Sequence, residues 1–261
     1  MKTVRVGDKA EIEAFLRRNT FLHIYGLGDL DDYFWRFTTW YGLTDGGRIQ
    51  AIVLVYAGLR QPTLLALGQE ELPLLRELLH SIVGLLPERF YAHLSPGSAE
   101  ALEGHYRLES HGEHHKMALT DPARIAGVDT SEVVRLTSAD LDELLAFYAA
   151  SYPGHGFEPS MLDAGQYCGI RGRDGLISVA GVHVYSERYK VAALGNIATH
   201  PDHRGRGRGA TVTAGLCKTL LGTVEHVGLN VKADNEAGMR CYAKLGFEII
   251  GTYEEHSARR A

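Results

Sequence analysis

Asn196 to Ala210 reads NIATHPDHRGRGRGA, and this stretch decides the fold. Its opening residues continue an apolar run and have the character of a strand that ends at Ala198 and Thr199. Pro201 breaks it, and a loop follows in which Gly205, Gly207 and Gly209 alternate with arginines. Thr211 to Leu221 (TVTAGLCKTLL) then has the apolar spacing of a helix packed on a sheet. A strand, a glycine-rich turn and a helix start make an anion site. Small residues let the backbone approach, successive N–H groups point inward, and the helix dipole adds partial positive charge.

The spacing decides which anion. It is neither GxGxxG with a downstream ribose-binding acid nor GxxxxGK[ST], because no Lys-Ser or Lys-Thr closes the loop. What stands is Arg204-x-x-Gly207-x-Gly209, which resembles motif A of the GNAT superfamily of acyl-CoA N-acyltransferases. The resemblance implies that the amides of Arg204, Gly205, Arg206, Gly207, Arg208, Gly209 and Ala210 hold the pyrophosphate of coenzyme A. Arg-Gly runs also occur in disordered RNA-binding tails. Here the run sits between an apolar strand and an amphipathic helix, which favours the ordered loop.

Composition sets the outer bounds. With 261 residues, 45% hydrophobic and 23% charged, the chain reads as globular, either one large domain or two of modest size. A net charge of -5 argues against a general nucleic-acid binder, so no nucleic-acid partner is expected. Cys168, Cys217 and Cys241 form no CxxC and cannot all pair, which suggests a reducing, cytoplasmic setting. Met1 to Arg18 is too polar for a signal peptide, and no apolar run is long enough to span a bilayer, so no membrane partner is expected.

Outward from the loop, the first half reads as a mixed domain. Helical spacing covers Asp8 to Arg18, Glu70 to Leu86 and Ala99 to Tyr106; strands are expected at Phe37–Leu43, Gln50–Ala57, Pro62–Leu67, Phe90–Leu94 and Leu108–Leu119. The second half repeats the order. Val133–Leu136 is a strand, Ala139–Ala150 and Glu158–Ala164 are helices, and Gln166–Arg171 with Leu176–Tyr185 forms a hairpin across an Asp-Gly turn. Val53-Leu54-Val55-Tyr56 answers Val182-His183-Val184-Tyr185, and Ala66-Leu67-Gly68 answers Ala193-Leu194-Gly195 at nearly equal intervals. A tandem duplication accounts for this, and chance likeness between apolar strands is the alternative. The expected division is 1–120, a polar linker 121–131, and 132–261. Where the second half has its glycine loop, the first has Gly68-Gln69-Glu70-Glu71, whose carboxylates suit a helix start and repel a pyrophosphate.

A second motif follows the loop. His226–Lys232 is an expected strand, Asn235 an N-cap, Glu236–Leu245 a helix, and Gly246 its stop. Asn235-x6-Tyr242-x3-Gly246-Phe247 is similar to the motif that closes the GNAT coenzyme cleft. Through that resemblance Tyr242 is the general acid toward the departing thiolate, and Asn235 touches the pantetheine or the adenine side. The oxyanion donor is a backbone N–H among Ile197, Ala198 and Thr199, freed by splaying of the sheet. A helical tyrosine packed on a sheet with its hydroxyl at the rim is the plainer reading of Tyr242 taken alone.

The base is less sharply marked. Glu158 and Asn196 are candidates beside the acceptor amine, with His155 and His183, and direct relay through water is an alternative. Tyr152 to Met161, rich in Gly and Pro, has the makings of an acceptor loop. His111-Gly112-Glu113-His114-His115 invites a metal reading, but no second ligand group stands at a supporting interval, so a solvated basic edge is preferred and no metal is expected.

Taken together, the resemblance implies an α/β (α+β) fold of two tandem GNAT-like domains, each a mixed, mostly antiparallel twisted sheet flanked by helices. It implies an N-acetyltransferase that moves an acetyl group from acetyl-CoA to the primary amine of a small molecule. Two alternatives stand beside it: a non-catalytic acyl-CoA sensor, and a glycine N-acyltransferase-like enzyme with larger acyl donors. The first half is expected to shape the acceptor pocket or to form a homodimer.

Overall fold

The structure is a computed structural model that describes residues 1–154 and 156–261, together with the side chains of all of these except Ala164. It divides into two compact units. Unit 1 holds Met1–Lys116, Lys232–Asp234 and Ile249–Ala261; unit 2 holds Met117–Val231 and Asn235–Glu248.

Unit 1 begins with strand β1 (Lys2–Val6) and helix α1 (Lys9–Leu16), which Asp8 starts by accepting from the Ala10 and Glu11 N–H groups. Two short helices follow, α2 (Ile24–Gly28) and α3 (Asp32–Trp35). Strands β2 (Thr38–Asp45) and β3 (Arg48–Tyr56) form a hairpin across Gly46 and Gly47, both at positive φ. Then come β4 (Thr63–Ala66), α4 (Leu72–Ile82), β5 (Arg89–Leu94) and β6 (Tyr106–Leu119). Leu75, Leu78, Leu79 and Ile82 recur at helical spacing on α4 and bury against Val53, Ala66, Phe90, Ala92 and Leu94 of the sheet. The helix expected at Ala99–Tyr106 is only a 3₁₀ turn, Ser98–Leu102, bracketed by Gly97 and Gly104 at positive φ.

The chain continues through α5 (Ala123–Ala126), β7 (Val133–Leu136), α6 (Leu141–Ser151), β8 (Tyr167–Gly172), β9 (Gly175–Ser186) and β10 (Val191–Thr199). Next are α7 (Arg208–Leu220), β11 (His226–Lys232), α8 (Glu236–Lys244) and β12 (Phe247–Arg260). The helix expected at Glu158–Ala164 is a 3₁₀ segment, Pro159–Ala164. Helix α7 packs on one sheet face, with Val212, Leu216 and Leu220 against Ala180, Val182 and Leu194. Helix α6 covers the other with Leu144, Phe147 and Tyr148 against Tyr167 and Val179.

The two units repeat one pairing scheme. β1, β2, β3 and β4 pair antiparallel in sequence and β4 pairs parallel with β5; β7, β8, β9 and β10 do the same, and β10 pairs parallel with β11. The units do not follow the expected division at residues 120 and 132. The 14-residue strand β12 leaves unit 2 after Glu248, and its remainder pairs with β5 from Glu254↔Leu94 to Arg259↔Arg89. Backbone groups of β5 require a partner, and β12 supplies it.

Polar side chains line this junction within unit 1. Glu255 of β12 lies opposite His93 of β5, with Nε2 to Oε1 at 3.4 Å, and His114 Nε2 stands 3.3 Å from its other oxygen. The Tyr253 hydroxyl donates to Glu255 at 2.7 Å, and the Tyr91 hydroxyl donates as well. The Lys116 ammonium, 3% exposed, lies 5.0 Å and 5.1 Å from the ring centres of Tyr25 and Tyr253. His111 Nε2 meets Ser257 Oγ at 2.7 Å. His111 and His114 reach the same side of β12 because Gly112, at φ 91, shifts the alternation between them. The expected solvated edge is therefore corrected: these imidazoles are half-buried on an inner strand, in contact with β12.

Burial lowers the Lys116 ammonium to about 7, against the opposing pull of Glu255. Burial also pushes the Glu255 carboxyl up, but His93, Tyr253, Tyr91 and His114 outweigh it and hold the group below the usual carboxylate range. A depressed carboxyl stabilises the fold above its unfolded value of about 4.3, and that contribution is lost as pH falls through the lower folded value. Glu255→Gln removes the carboxylate that accepts from Tyr253 and Tyr91 and faces His93 and His114, and is expected to cost about 2 kcal/mol at pH 7. Denaturant titrations will show this, and the variant's acid limb below about pH 4.3 will be shallower than the wild type's.

Candidate functional site

The site is built where β10 leaves the sheet. Its parallel ladder with β11 ends at Leu194↔Leu229, while β10 runs on to Thr199. On the other side the pairing with β9 jumps from Gly195↔Gly181 to Ala198↔Val179, so Asn196 and Ile197 together oppose Ala180 in a β-bulge. Asn196 takes φ 53, a left-handed conformation that asparagine tolerates better than most residues. The segment Ile197, Ala198 and Thr199 is thereby freed from the β11 ladder, half-buried and open on one side.

The loop beyond β10 is fastened at its base. Arg204 Nε donates to the Thr199 carbonyl at 3.1 Å, and Nη2 of the same side chain donates to the Ser151 carbonyl at the end of α6 at 3.0 Å. The Arg204 guanidinium thus holds the loop to two elements. Gly205 and Gly207 have φ 75 and 77, and an added Cβ at either would meet nothing within 4 Å. Their need is conformational, and the space around them stays open for a ligand. Gly207 precedes α7, whose first bond across the start is Thr211 N–H to Gly207 C=O at 3.0 Å. The N–H groups of Arg208, Gly209 and Ala210 therefore precede the helix's own acceptors and project from its positive end. A Cβ on Gly209 would come within 3.4 Å of Thr199 Oγ1, so the first turn of α7 lies close to the end of β10. Arg208 pairs with Glu132, whereas Arg206 is exposed and has no ion-pair partner among the described residues.

Helix α8 closes the region. Asn235 Oδ1 accepts from Gly238 N–H at 2.9 Å, which caps the helix and leaves Nδ2 as the group available to a ligand. Tyr242 is 9% exposed, with its ring edge-on to Phe247 at 6.1 Å. It shares one apolar cluster with Ile197, Ala210 and Val212, so the end of β10, the start of α7 and the inner face of α8 converge. Burial pushes the Tyr242 phenol well above its ordinary value, and nearby Cys241, Tyr152 and Cys217 add to the shift. It is a protonated donor throughout the neutral range.

The weaker base candidates stand differently. The Asn196 side chain is 6% exposed and bonded to Tyr167, and an amide has no proton affinity to offer an amine, so its place is structural. Glu158 is half-buried at the head of the 3₁₀ segment, where its carbonyl accepts from Met161 N–H. His183 packs against Gly195, where a Cβ would fall 2.3 Å from its Nε2. His155 lies outside the described residues. The residue that sequence reasoning passed over is Tyr148, whose hydroxyl donates to the Asn196 carbonyl at 2.7 Å; it lay unremarked inside the expected helix Ala139–Ala150.

Unit 1 treats the equivalent place in another way. Ser95, after β5, donates its hydroxyl to the Gly68 carbonyl at 2.7 Å and accepts from Gly68 N–H at 2.9 Å, while its own N–H bonds Ala66 at 3.0 Å. The strands that part in unit 2 are laced together there. Among the described residues no group of three or more His, Cys, Asp or Glu is placed to hold a metal, and no helix is long and apolar enough to cross a membrane. All three cysteines are free thiols.

The FR47-like protein family matches residues 168–256, a span that contains β10, the glycine loop, α7 and α8. No curated protein matches the sequence. Among solved structures, the chain is similar to a Drosophila protein at 12% identity, over 98% of this chain and 97% of that one, with a TM-score of 0.72. It is similar to a Novosphingobium aromaticivorans protein assigned to the GNAT family at 19% identity, over 84% and 91% of the two chains, with a TM-score of 0.60. A tandem GNAT protein of the clavulanic acid pathway matches at 15% identity over 99% and 98%, with a TM-score of 0.56. The FR47-like match lies across the parted strands and the glycine loop, and the mixed, mostly antiparallel fold of the chain is the one these GNAT-family structures have.

Proposed function

We propose that unit 2 binds acetyl-CoA and transfers the acetyl group to the primary amine of a small molecule by direct attack in a ternary complex. One observation carries this reading: β10 parts from β11 after Leu194 and leads into two left-handed glycines and a helix start whose amides have no internal acceptor. That combination offers hydrogen-bond donors to a pyrophosphate and a slot for an extended thiol arm beside it. The N–H groups from Gly205 to Ala210 would take the pyrophosphate, and Arg206 would add charge. The backbone of Ile197, Ala198 and Thr199 and the Asn235 amide would border the arm. We read the two units as a duplication in which the first copy has closed its cleft through Ser95.

In the transfer, the amine nitrogen bonds to the acyl carbon and the carbon–sulfur bond breaks. The Tyr242 proton passes to the departing sulfur, and the amine's proton leaves to water. The buried phenol is protonated across the neutral range and so has a proton to share with the departing sulfur as the carbon–sulfur bond breaks. The proteins of solved structure described as GNAT members lend the acyl donor, and the net charge of -5 suits a neutral or cationic acceptor.

Calorimetry with acetyl-CoA should show binding by the wild type and none by Gly207→Glu, which sets a carboxylate against a phosphate at a cost of several kcal/mol. A thiol-release assay across a panel of amines should show turnover that Tyr242→Phe slows about a hundredfold with binding kept. Absence of wild-type binding would remove the acyltransferase reading. Binding with no release for any amine would instead make the protein a sensor of acyl-CoA.

A further inference from the structure

The bulge in β10 is held from the α6 side by three side chains. The Tyr148 hydroxyl donates to the Asn196 carbonyl at 2.7 Å, buried at both ends. Asn196 Nδ2 donates to the Tyr167 hydroxyl at 3.0 Å and lies 3.4 Å from Met161 Sδ. Burial, with smaller effects from Tyr167 and Tyr152, pushes the Tyr148 phenol far above its ordinary value, so it remains a donor under all mild conditions. These bonds offset the cost of about 1 kcal/mol for a left-handed residue other than glycine.

Peptide geometry carries the effect onward. Among the described residues no peptide bond is cis. In a planar trans peptide the carbonyl and the following N–H point in opposite directions. With the Asn196 carbonyl drawn toward α6, the Ile197 N–H is turned toward the opposite sheet face, where α7 packs and where Ile197 shares a cluster with Tyr242 and Ala210. Neither ladder has Ile197 in register, since pairing with β11 ends at Leu194 and pairing with β9 resumes at Ala198.

We infer that Tyr148 is a positioning residue for acyl transfer: acting through the Asn196 carbonyl, it aims the Ile197 N–H at the acyl carbonyl oxygen, where negative charge develops during attack. The inference rests on the function proposed for unit 2 and gives one amide a fixed direction before the substrate arrives. Free coenzyme A carries no acyl oxygen and so makes no use of this donor.

That difference supplies the test. Calorimetry on the full chain with acetyl-CoA and with free coenzyme A should show a wild-type preference for the acetyl form. Tyr148→Phe should reduce that preference about fivefold, the worth of one hydrogen bond, while free coenzyme A binds within about twofold of wild type. Amide exchange should show Ile197 protected by acetyl-CoA but not by free coenzyme A in the wild type, with the distinction lost in the variant. Tyr167→Phe, which loosens the same bulge through Asn196, should act in the same direction and serves if Tyr148→Phe does not fold. A variant that keeps the full preference, or a wild type with equal affinity for both and no selective protection of Ile197, overturns the inference while the coenzyme site stands. A wild type that binds neither compound removes the proposed function itself.

Discussion

Buried backbone polar groups must find partners, and unit 2 is arranged around a strand that gives up its usual ones. β10 shifts register with β9 twice, after Ala193 and again across Asn196 and Ile197, and leaves β11 after Leu194, within a few residues of the loop. Such a departure persists only if other groups take over. Tyr148 satisfies the Asn196 carbonyl and Arg204 satisfies those of Thr199 and Ser151. The edge of β10 that remains beyond Leu194 stands beside the start of α7. In unit 1 a single hydroxyl, Ser95, meets the same demand by bridging the gap to the Gly68 N–H and carbonyl.

Much of this was legible in the residues. The glycine loop, α7, β11 and α8 announce themselves through glycine at positions that need positive φ, an Asn cap and apolar spacing, all of which are local rules. The likeness of Val53–Tyr56 to Val182–Tyr185 falls on β3 and β9, which hold the same place in the pairing order of the two units. Arg204 was legible as part of the motif, but its side chain serves the loop's own carbonyls, a role that depends on where the end of α6 lies.

What stayed hidden depends on contacts distant in sequence. Asn196 looks like a polar residue at an active site, and only its φ and the reach of Tyr148 reveal it as a hinge of the bulge. His111 to His115 looks solvated because the strand that covers it arrives from more than a hundred residues later. β12 itself, FEIIGTYEEHSARR, alternates too weakly to declare a buried strand. One of its faces carries Tyr253, Glu255 and Ser257, whose polarity makes sense only once His93, His114 and Lys116 are set against them. A buried polar network of this kind fixes the register of the strand more sharply than an apolar row would, since a slip of one residue would strand a charge.

The route of β12 also bears on the order of events as the chain is made. In unit 1, β12 lies between β5 and β6, yet residues 120–246 separate it from both in the sequence. The part synthesised first must therefore wait, with two strand edges unpaired, until the second unit has left the ribosome. During that interval any extended segment with matching pattern competes for the gap, so rapid folding of unit 2 shortens the time in which unit 1 can mispair.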